Sequence, residues 1–219
     1  MSVILSSEAM RECENINFAA QTADPLQLML EAGRNCALEF LKFSGKLTCR
    51  RRIVIFCGSG NNGGDGVVMA SFLAQEQALP VILALVNRHK LSVASEYYFR
   101  QLPDSVQVID AAEVVLQRSD VIVDALLGTG CRTPMREPYR TLINYINSMS
   151  LPTFSVDIPS GLNTDCSIKS TLTAAVGFFK DLFFTDKNLE YCGRLRRVPL
   201  TLPIAPECDP DAPQAADAQ

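Results

Sequence analysis

The alternation of apolar and polar positions divides the chain into helices and buried strands. Near the N-terminus, apolar residues recur at helical spacing, which predicts one helix capped by Ser6 or Ser7 and a second over residues 25–43. After residue 52 the pattern changes to short, continuous apolar runs, which are typical of strands covered on both faces. The predicted strands are 53–57, 81–86, 106–109, 121–123, 153–156 and 172–178, and helices are predicted over 66–77, 92–102 and 139–149.

This order of elements predicts the fold class. Alternating strands and helices favour an α/β fold with a doubly wound, mostly parallel sheet and helices on both faces. Because two helices precede every strand, we expect an N-terminal helical extension that packs outside the sheet. We predict one domain over residues 1–205 and a disordered tail over 206–219, which is rich in Pro, Ala and Asp.

Composition and charge narrow the class of protein. A net charge of -4 offers no basic surface for nucleic acid, and we find neither a secretory signal nor the roughly 20 apolar residues that cross a bilayer. The eight cysteines contain no Cys-x-x-Cys pair, and His89 is the single histidine, so zinc spacing is missing. We therefore expect a cytoplasmic protein with reduced thiols that binds neither nucleic acid nor membrane.

A glycine-rich segment lies between the strand 53–57 and the helix that follows, with the sequence GSGNNGGDG over residues 58–66. Glycine lets backbone amides approach an anion, and the helix N-terminus adds its positive dipole end, so the segment predicts phosphate binding. A bulky side chain at Gly63 or Gly64 would then occupy the space that the phosphate needs. The segment is not a Walker loop or a complete dinucleotide fingerprint, and a tight structural turn is the alternative interpretation.

Two later strands end at carboxylates, which the fold places at the ligand crevice beyond the carboxyl ends of the strands. Asp124 is followed by a flexible segment, and the alternative role of Asp124 is to cap a helix. Asp157 is followed by a turn that Pro159 stiffens. A carboxylate that is partly shielded from water can exchange protons near neutral pH, which makes Asp157 a candidate acid/base. The oxygens of Asn62, Asp124 and Ser160 suit a hard cation better than zinc.

Taken together, these segments resemble the NAD(P)H-hydrate epimerase family, the domains similar to the N-terminal part of YjeF, in a form without the dehydratase domain. The family couples the segments GNNGGDG, DALxGTG and DIPSG in that order, and they occur here at 60–66, 124–130 and 157–161. The likeness extends from the helix at Met10 to the stretch 191–193. It implies a Rossmann-like three-layer α/β/α sandwich.

The resemblance also implies an activity and a site. The enzyme would be an isomerase that interconverts the R and S forms of the hydrates NADHX and NADPHX. Its functional partner would be a separate NAD(P)H-hydrate dehydratase. Members of the family often form homodimers. Asp157 would be the catalytic acid/base, and Asn62, Asp124 and Ser160 would hold one K⁺ per subunit. The implied substrate-binding residues are Asn61, Asn62, Gly63, Gly64, Asp65, Gly128, Thr129, Gly130, Cys131, Arg132, Thr133, Pro134 and Asp157.

The chain departs from the family pattern at three places. Leu30 stands where a glutamate is usual, and the connection that follows Gly161 is shorter than usual. Asp181 replaces the glycine that normally follows a family lysine, here Lys180.

Two other functions stay open at this point. One is a non-catalytic nucleotide-binding or scaffold module of the same fold, since fold alone does not fix function. The other is a nicotinamide-dependent dehydrogenase, which would need an acidic residue at the end of the second strand to hold the ribose. That strand ends at Asn87 and Arg88 instead.

Overall fold

The computed structural model describes residues 4–48, 52–76 and 79–202, so the predicted tail at 206–219 lies outside the described residues. The helices are α1 (Ser7–Ala19), α2 (Pro25–Ser44), α3 (Asn61–Glu76), α4 (Val93–Phe99), α5 (Tyr139–Met149) and α6 (Asp186–Cys192). The strands are β1 (Ile4–Leu5), β2 (Arg52–Cys57), β3 (Val81–Leu85), β4 (Val106–Asp110), β5 (Asp120–Ala125), β6 (Thr153–Val156), β7 (Leu172–Val176), β8 (Phe179–Lys180) and β9 (Arg194–Val198). Short 3₁₀ turns cover Ala111–Glu113 and Asp181–Phe184.

Seven of the strands form one parallel sheet in the order β4-β3-β2-β5-β6-β7-β9. The chain enters the sheet at β2, builds outward to β4, crosses back to β5 and then builds to the other edge. The strand order therefore reverses between β2 and β5. Parallel α/β sheets bind their ligands at such a reversal, beyond the carboxyl ends of the strands.

The sheet is covered on both faces, which confirms the three-layer α/β/α sandwich. Successive side chains of a strand point to opposite faces, so Ile53 and Ile55 of β2 join a core with α2 and α3. Val54 and Phe56 join a second core with α5 on the other face. Burial on both faces explains why the central strands are continuous apolar runs in the sequence.

The two N-terminal helices lie outside the sheet, as predicted, and α2 is one of its covering helices. Phe40 of α2 meets Phe154 of β6 edge to face, with 5.5 Å between ring centroids. The packing of α2 against α3 is close at Gly33, where an added Cβ would lie 2.5 Å from the Cβ of Val68. In addition, β1 pairs in parallel with β8 and places Leu5 opposite Lys180.

Several predicted boundaries need correction. The helix α3 begins at Asn61 rather than at 66, and four short elements, β1, β8, α6 and β9, were not predicted. The shortened connection after Gly161 still delivers β7 into the sheet between β6 and β9. No helix in the described parts of the chain combines the length and the apolar character needed to cross a membrane.

Candidate active site

A cavity of about 400 Å³ lies where the strand order reverses. One wall is formed by the residues that follow β2 and begin α3, and a second by the residues that follow β5. The helix α1, the first residue of α5 and the ends of β6, β7 and β8 contribute the rest. The predicted site residues that line it are Asn61, Asn62, Asp65, Gly128, Thr129, Gly130, Cys131 and Asp157.

Five predicted substrate residues lie outside this wall. Gly63 and Gly64 are buried within the first turn of α3, and residues 132–134 are exposed beyond the rim. Their part in substrate binding stays a prediction.

The glycine-rich segment is mainly the start of a helix, and the expectation of a turn extending to Gly66 was wrong. Because α3 begins at Asn61, the backbone amides of its first turn have no partner within the helix. Asn61 and Asn62 line the cavity, so the positive end of the α3 dipole lies at its wall. A helix N-terminus in this position is suited to hold a phosphate.

The glycines of this turn are needed by the protein itself, which corrects the predicted reason for their presence. A Cβ on Gly63 would lie 2.0 Å from the carbonyl oxygen of Gly58, and one on Gly64 would lie 2.5 Å from the Sδ of Met29. These contacts are with the neighbouring loop and with α2 rather than with the space for a phosphate. By contrast, a Cβ on Gly60, which lines the cavity, would meet nothing within 4 Å.

Asp124 is fully buried within β5 and is held by neutral donors. It accepts hydrogen bonds from the Ser160 hydroxyl at 2.5 Å, the Ser160 amide at 2.8 Å and the Ser155 hydroxyl at 2.8 Å. The amide of Leu126 donates a fourth, at 3.3 Å. Burial raises the pKa of the Asp124 carboxyl, and the bonds from Ser160 oppose that shift. Because Asp124 lies within a strand and caps no helix, the capping interpretation was wrong.

Asn62 is the third residue of the predicted cation set, and its side chain is unusual. Both its Nδ2 and its Oδ1 are buried without a hydrogen-bond partner in the described structure, although buried polar groups normally have one. Asn62 packs beside Gly128, where an added Cβ would lie 3.6 Å from the Cβ of Asn62. An amide oxygen without a hydrogen-bond partner at this place is suited to be a ligand of a cation.

The donor chemistry decides which cation these residues suit. Among the described residues, no cluster of three His, Cys, Asp or Glu side chains could hold a metal ion. Asp124 and Ser160 are in direct contact, and with the Asn62 amide they provide oxygen donors only. Oxygen ligands with a single carboxylate favour a hard cation of low charge, so the residues present fit K⁺.

Asp157 follows β6 and lines the same cavity. Its φ of 64° lies in the left-handed region that few residues other than glycine adopt. The Asp157 carboxylate forms an ion pair with Lys180, whose side chain is 2% exposed. Non-glycine residues held in such a conformation are concentrated at functional sites.

Three charged residues of the cavity, Arg11 and Glu14 of α1 and Lys180 of β8, were missing from the predicted site. The sequence signal for Lys180 was its match to a family lysine. Glu14 had only a weak signal, since it lies one turn after Met10, on the buried side of α1. The N-terminal helix is thus part of the site.

The carboxyl groups in this part of the cavity affect one another. Burial, and then the charge of Asp157, raise the pKa of Glu14, while Lys180 and Arg11 oppose the shift. The pKa of Asp65 lies well above its usual range because of burial, with Asp157 and Glu14 adding to the effect and Lys180 opposing it. On this side of the cavity, burial and neighbouring carboxylates therefore favour the protonated forms of Glu14 and Asp65.

Of the cysteines near the motifs, Cys57 is a buried thiol, as the sequence predicted, and Cys131 is half-buried at the cavity wall. Burial raises the pKa of the Cys57 and Cys131 thiols, and a protonated thiol is a poor nucleophile. The Cys131 thiol donates to the carbonyl of Gly128 at 3.1 Å and so stabilises the turn.

A comparison with protein families agrees with this geometry. Residues 25–181 match the model of the family described as YjeF-related protein N-terminus. The chain belongs to this family. The match includes all three segments that meet at the cavity but ends before β9 and begins after α1.

The sequence is also similar to proteins of known name. The chain is 33% identical over 203 residues to the bifunctional NAD(P)H-hydrate repair enzyme Nnr of Coxiella burnetii, covering 89% of this chain and 41% of that protein. It is 34% identical over 152 residues to the NAD(P)H-hydrate epimerase of Limosilactobacillus fermentum, covering 66% of this chain and 72% of that protein. The chain thus spans about two fifths of the length of its bifunctional relative.

The fold has a close structural counterpart. The crystal structure of the yeast protein ynu0 superposes with a TM-score of 0.72 at 24% identity, covering 80% of this chain and 81% of the yeast chain. This similarity confirms the Rossmann-like fold of the family and carries no statement about activity.

Proposed function

We propose that this protein is an NAD(P)H-hydrate epimerase, an isomerase that interconverts the R and S forms of NADHX and NADPHX. One observation carries the proposal: the cavity at the strand reversal holds an oriented carboxylate, Asp157, together with the N-terminus of α3. The name of the L. fermentum relative supports the same activity.

The cavity wall suggests how the substrate binds. The nucleotide phosphates would lie at the first turn of α3, where Asn61, Asn62 and Asp65 line the cavity. Residues 128–131 form the facing wall and would hold the other part of the substrate. The nicotinamide ring would then lie toward Asp157. Holding the ring in one orientation contributes to the rate because the reacting groups start in contact.

The chemistry requires only a proton exchange at one carbon. In its carboxylic acid form, Asp157 gives a proton to the hydroxyl on C6 of the ring and becomes the carboxylate that pairs with Lys180. The C6–O bond breaks to release water. The lone pair of the ring nitrogen forms the N=C6 bond of an iminium ion. Water then adds to the opposite face of C6, and its proton returns to Asp157, so that atoms and charge balance. A positioned acid/base of this kind contributes about 100-fold to 10,000-fold in rate.

A potassium ion belongs to the proposal. Asn62, Asp124 and Ser160 would hold it, and its positive charge would balance the buried Asp124 carboxylate and favour the nearby phosphates. The unpaired Asn62 amide supports this assignment.

The names of the relatives suggest the wider context. Several are bifunctional repair enzymes, so we propose a separate NAD(P)H-hydrate dehydratase as functional partner of this protein. A cytoplasmic location and a homodimer remain predictions.

The proposal is tested by following the exchange of R and S hydrates with purified protein, using NMR or chromatography. Exchange well above the spontaneous rate is expected. A protein that binds the hydrates without accelerating the exchange would instead be the non-catalytic module. Binding of intact NAD in preference to the hydrates would indicate a dehydrogenase, which Asn87 after β3 already disfavours.

A further inference from the structure

Lys180 is a buried cation in a very short strand. Its side chain is 2% exposed, and a buried ammonium group is unfavourable unless it is paired and hydrogen-bonded. Lys180 satisfies this requirement with two partners: its Nζ donates to Asp157 Oδ1 and, at 2.7 Å, to the carbonyl of Val176. The ion pair of Lys180 is therefore with one oxygen, Oδ1, of the candidate catalytic carboxylate.

The two oxygens of Asp157 are in different environments. Oδ1 accepts from Lys180 and also, at 3.3 Å, from the amide of Val176. Oδ2 accepts no hydrogen bond from any residue in the described part of the chain, while Asp157 itself lines the cavity. The backbone of Asp157 is fixed as well, because its amide donates to the carbonyl of Ala174 at 2.9 Å.

We propose that Lys180 is the positioning residue of this site: it holds Asp157 through Oδ1 and leaves Oδ2 as the oxygen that exchanges protons with the substrate. The inference rests on the proposed epimerase function and goes beyond it by naming the reacting atom. When Oδ2 gives up its proton, the negative charge stays on the carboxylate, and Lys180 stabilises it. When water adds to the ring, Oδ2 takes the proton back.

The fold supports Lys180 from a distant part of the chain. β8 holds it beside the cavity, and the backbone of Leu5 in β1 pairs with it. Gly177, with a φ of 72°, makes the turn between β7 and β8. Among the described residues, Arg11 is the other cation of the cavity wall, and it makes no ion pair with a carboxylate. Lys180 is therefore the cation that Asp157 depends on.

A double-mutant cycle on the exchange rate tests the proposal. Lys180→Met should lower kcat by about 100-fold, the size of the contribution of an acid/base group, with KM within about threefold. Lys180→Gln, which keeps a donor without the charge, should lose less. Because Lys180 acts through Asp157, the variant Asp157→Asn/Lys180→Met should be no slower than Asp157→Asn alone. Lys187→Met, at an exposed lysine of α6, is the matched control and should match wild type.

A crystal structure of the Lys180→Met variant gives a second readout that needs no activity. A displaced Asp157 carboxylate is expected, and a carboxylate in its wild-type position would overturn the proposal. Multiplicative losses in the cycle, or a wild-type kcat in Lys180→Met, would also overturn it. Wild-type protein without exchange activity would refute the epimerase function, and the crystal structure would still decide the role of Lys180. If Lys180→Met does not fold, Lys180→Gln provides the same two readouts.

Discussion

Asp157 combines a left-handed backbone with an ionic partner that is almost completely buried. Each feature alone is unfavourable. A left-handed backbone conformation costs about 1–3 kcal/mol, and burying a charged group is unfavourable as well. Asparagine and aspartate both tolerate the left-handed region. A substitution by asparagine therefore changes the charge and the exchangeable proton while it preserves the backbone.

We expect Asp157→Asn to bind hydrated nucleotide within about tenfold of wild type, which is roughly 1.4 kcal/mol. Its exchange rate should fall by about a hundredfold or more because the positioned acid/base is lost. Calorimetric binding and NMR exchange rates on the same preparation measure both quantities. An Asp157→Asn variant that epimerises at the wild-type rate would show that another group exchanges the proton.

The cation site gives a second prediction about a single side chain. K⁺ should raise the thermal unfolding midpoint of the wild type relative to Na⁺ at equal ionic strength, since a ligand at 100 times its Kd stabilises by about 2.7 kcal/mol. Asp124→Asn should lose this difference, because Asp124 supplies the only carboxylate of the proposed set. An equal K⁺ effect in wild type and variant would place the ion elsewhere.

Two glycines at the start of α3 differ in the space around them: Gly63 lies in its first turn and Gly60 directly precedes it. Gly63→Ala should destabilise the fold by about 1–3 kcal/mol, as overpacking does, because the new Cβ meets the Gly58 carbonyl. Gly60→Ala is the matched control, since its Cβ would meet nothing within 4 Å. Urea unfolding of both variants measures the difference. Equal stability of the two would mean that the turn relaxes freely.

Some elements could be predicted from their sequence almost to the residue. The boundaries of α5 and β6 agree with the prediction because the apolar residues of α5 recur at helical spacing and those of β6 alternate with Thr153 and Ser155. The start of α3 could not be predicted, since Asn61 to Gly64 are poor helix formers that tertiary packing overrides. The strand β9 was missed because Arg194, Arg196 and Arg197 give an edge strand the composition of a loop.

The assembled molecule explains which part of the site was predictable. Asp124, Asp157 and Ser160 each lie at or near the end of a sheet strand, so the fold rule alone brings them together. Glu14 and Lys180 come from the first helix and from a strand of two residues. Their proximity depends on packing between distant parts of the chain, which no local sequence motif predicts.

The stability of the whole fold should also depend on the carboxyl groups of the cavity. The pKa values of Glu14 and Asp65 are raised in the folded state, so the native state holds more protons than the unfolded chain. Stability must then fall as the pH rises from the ordinary carboxyl range, about 4, through the raised values. We expect Glu14→Gln to reduce this loss and Glu12→Gln, at an exposed position of α1, to leave it unchanged. Thermal unfolding midpoints across pH measure both, and identical profiles for Glu14→Gln and wild type would contradict the prediction.

The pairing of β1 with β8 has a consequence for how the boundaries of this domain are drawn. The family match begins at residue 25, so a recombinant fragment cut at that boundary would retain the three motif segments and all seven strands of the main sheet. It would nevertheless lack Leu5, the backbone partner of Lys180, and Glu14 in the cavity wall. Such a fragment could fold around the central strands and still lack part of the proposed catalytic centre, because the first strand supports Lys180 from a distant part of the chain.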